Sequence, residues 1–221
     1  MISNRIEENG PCPLCRHPHW EAYFEDRWRS YRRCQYCSLV YVPQRDWLSA
    51  EEERAEYDRH ENDPRDPGYR RFLSRLTGPL LKRLPSGQNG LDFGCGPGPA
   101  LAAIMEENGH RMDLFDPFYY NERSVWHRSY DFICATEVVE HLREPERVFV
   151  DLFQMLKPGG WLGIMTKLVR SPKAFQSWHY IRDRTHICFF SRDTFGYLAD
   201  RFDAGLEFIG SDVILLDRKR R

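Results

Sequence analysis

Leu91-Asp92-Phe93-Gly94-Cys95-Gly96-Pro97-Gly98 is the stretch that decides how the rest of this 221-residue chain reads. Leu91 to Phe93 supply an apolar strand end, Gly94, Gly96 and Gly98 permit tight turning with close backbone approach, and Pro99 suits the first turn of a helix. That helix continues from Pro99 to Glu107, with Leu101, Ile104 and Met105 apolar. Strand, glycine turn and helix in this order aim backbone amides at a ligand, which is the build of a nucleotide-cofactor loop. A dinucleotide fingerprint, G-x-G-x-x-G, is not met, because Pro99 stands where the third glycine belongs.

The pattern D-x-G-C-G-x-G resembles motif I of class I S-adenosylmethionine-dependent methyltransferases, and the resemblance continues from about Gly87 to the C-terminus. It implies that Asp92 and the backbone of Gly94, Cys95, Gly96 and Gly98 hold the amino-acid end of S-adenosyl-L-methionine. The segment RMDLFDP reads as a strand ending in Asp116, about twenty residues beyond the glycine loop, an interval common in nucleotide-binding α/β units. The resemblance makes Asp116 the acceptor of the ribose hydroxyls, with Pro117 and Phe118 beside it; read alone, Asp116-Pro117 is equally a turn. In YDFICATEVVEHL, Asp131 to Thr136 is a buried-strand run, and Thr136 and Glu137 fall where such enzymes pass the methionine end of the cofactor.

Glu146 to Leu156 is amphipathic, with Val148, Phe149, Leu152, Phe153 and Leu156 on one face; Lys157-Pro158-Gly159-Gly160 stops it and a strand from Trp161 to Leu168 follows. Ser191 caps a further helix carrying Phe195, Leu198, Ala199 and Phe202, and two strands, Leu206 to Ile209 and Val213 to Leu216, resemble the antiparallel end of the methyltransferase sheet. The expected fold is therefore α/β, with a Rossmann-like methyltransferase sheet. One departure stands out: fourteen residues, Pro117 to Tyr130, join the strand ending at Asp116 to the next. A single parallel crossover already takes a dozen residues. The usual third strand is thus expected to be missing or shortened, leaving adenine to Phe118, Tyr119 or nearby backbone.

Cys12-Pro-Leu-Cys15 and Cys34-Gln-Tyr-Cys37 form a C-x2-C, eighteen-residue gap, C-x2-C arrangement with the spacing of a zinc ribbon. Four thiolates fill a tetrahedral site, so the implied Zn2+ is structural and His17 and His19 are spare. Cys95, Cys134 and Cys188 have no partner at metal spacing and read as small apolar fillers. Domains are expected at 1–45 (zinc ribbon), 46–86 (helical linker or cap) and 87–221 (methyltransferase). Within the linker, a charged helix gives way to Pro64 and Pro67. Tyr69 to Leu84 then repeats Phe72, Leu76, Leu80 and Leu84, with a bend near Gly78-Pro79. Tyr57 or Tyr69 either covers the cofactor, as a preceding helix does in related enzymes, or simply packs.

The sulfonium of the implied cofactor is already electrophilic, so the protein mainly aligns the nucleophile, and a general base is needed only for a protonated acceptor. His141 and His186 are the catalytic candidates, with Glu137 and Glu140 behind them. Leu168 to Ile187, holding Lys173, Phe175, Trp178, Tyr180 and Arg182, reads either as an acceptor-site insertion or as a packed loop.

The acceptor expected is a small molecule. An alternative is RNA, prompted by DRWRSYRRC, where Arg27, Arg29, Arg32 and Arg33 interleave with Trp28 and Tyr31. A second alternative is a non-enzymatic interaction protein that keeps the cofactor fold. A formal net charge of −1 offers no bulk attraction to nucleic acid or anionic lipid. With no apolar run long enough for a membrane and no apolar signal region in MISNRIEENG, cytoplasmic residence is expected; the sequence leaves the oligomeric state open.

Overall fold

In the computed structural model, which describes residues 10–57 and 63–220, the glycine stretch lies at the end of a central strand of a six-stranded sheet. The N-terminal residues 1–9, residues 58–62 of the charged linker and the last residue of the basic tail lie outside the described residues. The chain divides into two compact units that are discontinuous in sequence. One combines residues up to 57 with Glu140–Val148 and Lys167–Tyr197; the other combines 63–139 with Phe149–Thr166 and 198–220.

The larger sheet belongs to the second unit. Strands β4 (Asn89–Phe93), β5 (Arg111–Phe115), β6 (Tyr130–Thr136), β7 (Leu156–Met165), β9 (Ala204–Ile209) and β10 (Val213–Arg218) run in the order β5-β4-β6-β7-β10-β9. The first four are parallel; β10 is antiparallel to both β7 and β9. Strand β5 is the edge, as the fourteen-residue connection predicts. That connection holds only an isolated bridge between Asp116 and Tyr120 and a 3-10 turn at Arg123–His127.

Helices α2 (Pro67–Leu81) and α3 (Ala100–Glu107) cover this sheet, burying Leu73, Leu76, Leu80, Leu101 and Met105 with Phe132, Met165 and Leu215. Helix α2 starts earlier than the leucine spacing indicates, because Asp66 caps it by accepting from the Gly68 N–H and Pro67 occupies the position where no donor is needed. Pro79 sits in its last turn. Helix α4 (Pro145–Met155) runs straight into β7, so the strand begins before the Lys157-Pro-Gly-Gly stop rather than after it. The four residues are absorbed as an irregularity between the Tyr130–Leu156 and Phe132–Trp161 pairs, with Gly159 at φ +80°. The strand ends at Met165, short of Leu168; the next N–H, of Thr166, donates to the Asp212 carbonyl.

In the first unit, β1 (Trp20–Glu25) and β2 (Ser30–Cys34) form an antiparallel hairpin, joined by β3 (Val40–Tyr41) and β8 (Cys188–Phe189). The hairpin turn is set by Asp26, whose carboxylate accepts from the Trp28 and Arg29 N–H groups and from the Tyr31 hydroxyl. Helices α1 (Ala50–Tyr57) and α5 (Pro172–Gln176) complete the unit's regular structure, and α6 (Arg192–Phe202) begins under a Ser191 side chain that accepts from the Thr194 N–H. No helix among the described residues is long and apolar enough to cross a membrane.

Candidate cofactor site and four-cysteine cluster

The glycine bend is built around positive φ. Gly94 and Gly96 stand at +77° and +64°, a region that side chains rarely adopt. A Cβ on Gly94 would also fall inside both γ-methyl groups of Val138, 2.9 Å from the farther one, so the bend requires glycine for room as well as for backbone angle. The Gly94 N–H donates to the Phe115 carbonyl at 2.7 Å, which ties the bend to the end of β5.

Asp116 closes the other side. Its Oδ2 accepts from the Gly96 N–H at 3.1 Å and its Oδ1 from the Phe118 and Tyr119 N–H groups. The carboxylate therefore sits against the glycine bend and caps the turn that follows it. Phe118 stays exposed beside it.

Asp92, one residue inside the strand end, is buried, and burial pushes its carboxyl up to about 7; a hydrogen bond from the Ala102 backbone opposes that rise, and the nearby Asp116 charge adds to it. Tyr69, on α2, lies within electrostatic reach of Asp92, Glu137 and Cys95, and burial pushes its phenol up to about 12. At the exit of β6, Glu137 holds φ +53°, an uncommon conformation for any residue but glycine, pinned by its N–H donating to the Met165 carbonyl. The Thr136 hydroxyl is buried with no hydrogen-bond partner among the described residues. Together these residues offer what a nucleoside with a charged amino-acid end needs: carboxylates, a glycine turn and an unsatisfied hydroxyl.

The Cys12, Cys15, Cys34 and Cys37 sulfurs all lie within 4.8 Å of one another. The Cys12–Cys37 and Cys15–Cys34 separations are 3.6 and 3.4 Å, close to the ~3.8 Å between thiolates bound tetrahedrally at about 2.3 Å from one ion. Such a cluster is compatible with a zinc ribbon. His17 stacks on Tyr36 and its Nδ1 accepts from the His19 N–H, outside the cluster. Cys95, Cys134 and Cys188 are buried.

The two catalytic candidates meet within the first unit, with ring centroids 4.7 Å apart. His186 is buried, which lowers its imidazole to about 4, and its Nδ1 bonds the Tyr180 carbonyl at 2.8 Å. His141 Nδ1 bonds the Thr185 carbonyl at 3.2 Å, and Tyr57 packs edge-on against its ring.

Sequence reasoning missed the role of Arg29. It is buried, with all three guanidinium nitrogens engaged: Nε donates to the Tyr31 hydroxyl, and the two terminal nitrogens to the carbonyls of Ile181, Asp183, Arg184 and His186. Arg32 is buried too, its guanidinium 3.8 Å over the Trp20 ring, and Tyr31 is fully enclosed. Three of the six residues behind the RNA reading thus belong to the interior. The 168–187 insertion is packed against the hairpin: Phe175 meets Tyr23, Tyr31 and Phe189 at 5.1 to 5.3 Å. No local signal marks this, because the contacts join segments more than a hundred residues apart.

A family model described as a methyltransferase domain matches residues 64–207. This chain belongs to that methyltransferase-domain family. The resemblance to class I S-adenosylmethionine-dependent methyltransferases is borne out, and with it the α/β fold. Among curated proteins none matches the sequence.

Solved structures agree on the fold. One is the Burkholderia thailandensis 1,6-didemethyltoxoflavin-N1-methyltransferase with bound 1,6-didemethyltoxoflavin and S-adenosylhomocysteine (15% identity, 91% of this chain and 100% of that one, TM-score 0.54). Another is a methyltransferase from Haloferax volcanii in complex with the Trm112 methyltransferase activator (11%, 76% and 98%, 0.51). A third is a SAM-dependent methyltransferase from Archaeoglobus fulgidus (16%, 67% and 94%, 0.50).

Proposed function

We propose that this methyltransferase binds S-adenosyl-L-methionine at the glycine bend and transfers its methyl group to a small-molecule acceptor. The observation that carries the reading is the joined set of Gly94, Gly96 and Asp116, in which the turn and the carboxylate are hydrogen-bonded into one cradle. Asp92 and the backbone of Gly94, Cys95, Gly96 and Gly98 would hold the amino-acid end, Asp116 the ribose hydroxyls, Pro117 and Phe118 the nucleoside, and Thr136 and Glu137 the methionine portion. The bound cofactor supplies an electrophilic methyl on sulfur. The protein's share is alignment. Burial raises the Asp92 carboxyl and a neighbouring cation would offset that rise, so it is suited to ionise against the cofactor's amino group. Tyr69 covers this end. His141 and His186 we assign to the acceptor rather than to the cofactor.

A small acceptor is favoured because Arg29, Tyr31 and Arg32, half of the basic and aromatic set in the ribbon, are consumed by packing. The Burkholderia enzyme, which holds a small molecule, points the same way. RNA remains the second reading on one observation: Trp28 is 59% exposed, with Arg27 4.7 Å and Arg184 5.6 Å from its ring centroid. We further propose that Cys12, Cys15, Cys34 and Cys37 hold one structural Zn2+, with no open position for catalysis, and that the chain works in the cytoplasm.

Calorimetry with S-adenosylhomocysteine tests the cofactor, and Asp116→Asn is expected to weaken binding at least about tenfold. Labelled S-adenosylmethionine given separate small-molecule and RNA extracts decides the acceptor by which pool gains label. Metal analysis should find one zinc per chain, lost in Cys34→Ser.

A further inference from the structure

Glu140, His141 and His186 bring one carboxylate oxygen and two imidazole nitrogens within 4.8 Å of one another, in the first unit and apart from the four-cysteine cluster. Glu140 is fully buried, an unusual place for a carboxylate, and the Tyr180 hydroxyl donates to its Oε1. Both rings are oriented in the same manner. His141 Nδ1 bonds the Thr185 carbonyl and His186 Nδ1 the Tyr180 carbonyl, so in each neutral ring the proton sits on Nδ1 and the lone pair on Nε2. A carbonyl behind the non-ligating nitrogen is the usual support of a metal-bound histidine. A second carboxylate, Asp183, lies with Oδ2 3.5 Å from His186 Nε2.

The local fold explains why these groups converge. Glu140 and His141 follow directly on the β6 exit, in a short 3-10 turn. The Ile187 N–H donates to the Glu140 carbonyl, which draws the His186 segment alongside. Arg29 then clamps that segment through the carbonyls on both sides of Thr185. Committing every donor of a buried arginine to one short loop and its flanking tyrosine is a heavy investment for a surface connection, and it fixes His186 in place.

We propose that Glu140, His141 and His186 form a second metal site, which takes a divalent transition metal through two imidazole nitrogens and one carboxylate. Two neutral imidazoles with one carboxylate suit Fe2+, Mn2+, Co2+ or Zn2+, whereas Mg2+ and Ca2+ prefer oxygen alone. Three protein donors leave coordination positions for oxygen ligands such as water or a hydroxyl. Only the identity of that oxygen ligand, an acceptor hydroxyl, rests on the proposed methyl transfer; the metal site itself does not. The competing account is a buried hydrogen-bonded network that merely anchors the insertion.

Mn2+ separates the two accounts, because thiolates take it poorly and the four-cysteine cluster stays silent when loaded with zinc. The full-length zinc-loaded protein is titrated with Mn2+ while electron paramagnetic resonance follows the free ion. One saturable Mn2+ per chain is expected, with affinity reduced at least about tenfold in His141→Gln and in Glu140→Gln, the latter keeping an acceptor for Tyr180. Circular dichroism melts confirm that each variant is folded; a His141→Gln that does not fold leaves Glu140→Gln to decide. Absence of saturable Mn2+ binding by the folded wild type, or equal binding by the folded variants, overturns the proposal. S-adenosylhomocysteine calorimetry on the same samples reports the cofactor reading separately, so that either can fail without the other.

Discussion

Gly94→Ala tests the glycine bend most directly, because two independent costs meet at one Cβ. The backbone stands at φ +77°, where an alanine pays on the order of 1–2 kcal/mol. The new methyl must in addition displace Val138, both of whose γ-carbons lie inside contact distance, and forced overpacking of this kind costs about 1–3 kcal/mol. Gly109→Ala is the matched control: φ is +84°, yet nothing lies within 4 Å of its Cβ, so only the backbone cost applies. Gly94→Ala should therefore destabilise the protein by roughly 2–5 kcal/mol in urea unfolding, and Gly109→Ala by roughly 1–2 kcal/mol.

Val138→Ala removes the two offending carbons and leaves its Cβ 3.3 Å away, so the double variant should recover about 1–2 kcal/mol relative to additivity. Calorimetry on the same set should find weaker S-adenosylhomocysteine binding in Gly94→Ala and unchanged binding in Gly109→Ala. Equal destabilisation by the two alanines, or strict additivity with Val138→Ala, would refute the packing argument.

Two further outcomes follow from buried polar groups. The Asp92 carboxyl, ordinarily near 3.8, sits at about 7 in the folded chain, so the folded state binds the extra proton in between. Its contribution is then greatest below about pH 4 and is lost as pH rises through 7, by at most on the order of 4 kcal/mol. Wild-type stability should accordingly fall relative to Asp92→Asn over that window, and parallel urea curves at all pH values would dismiss the buried acid. Arg29→Lys keeps the charge but exchanges five fixed donors for three on a flexible stem, which strands carbonyls between Ile181 and His186. A loss of about 2–4 kcal/mol is expected, with faster amide exchange in that loop; a loss below about 0.5 kcal/mol would mean that the clamp is not needed.

What could be read from the chain alone was whatever local sequence determines. The LDFGCGPG turn, the α3 helix and the Asp131–Thr136 strand announce themselves by glycine spacing and apolar periodicity, because steric limits on φ and the need to bury one face act over a few residues. The missing third strand was equally legible, since fourteen residues cannot span the usual crossover whatever their identity. The cysteine pairs were visible through ligand spacing alone.

Tertiary structure decided the rest. Arg29 looked like part of a basic surface strand and is instead a buried clamp, because its partners are backbone carbonyls that carry no residue signature. Phe175 and Phe189 belong with the N-terminal hairpin, although about 150 residues separate them from it. Likewise Glu140, His141 and His186 form a cluster because the Ile187 N–H reaches back to the Glu140 carbonyl and Arg29 holds the loop beside it. Local propensities set turns and helices through bonds near in sequence; which distant side chains share one small volume is fixed by the packing of the whole chain.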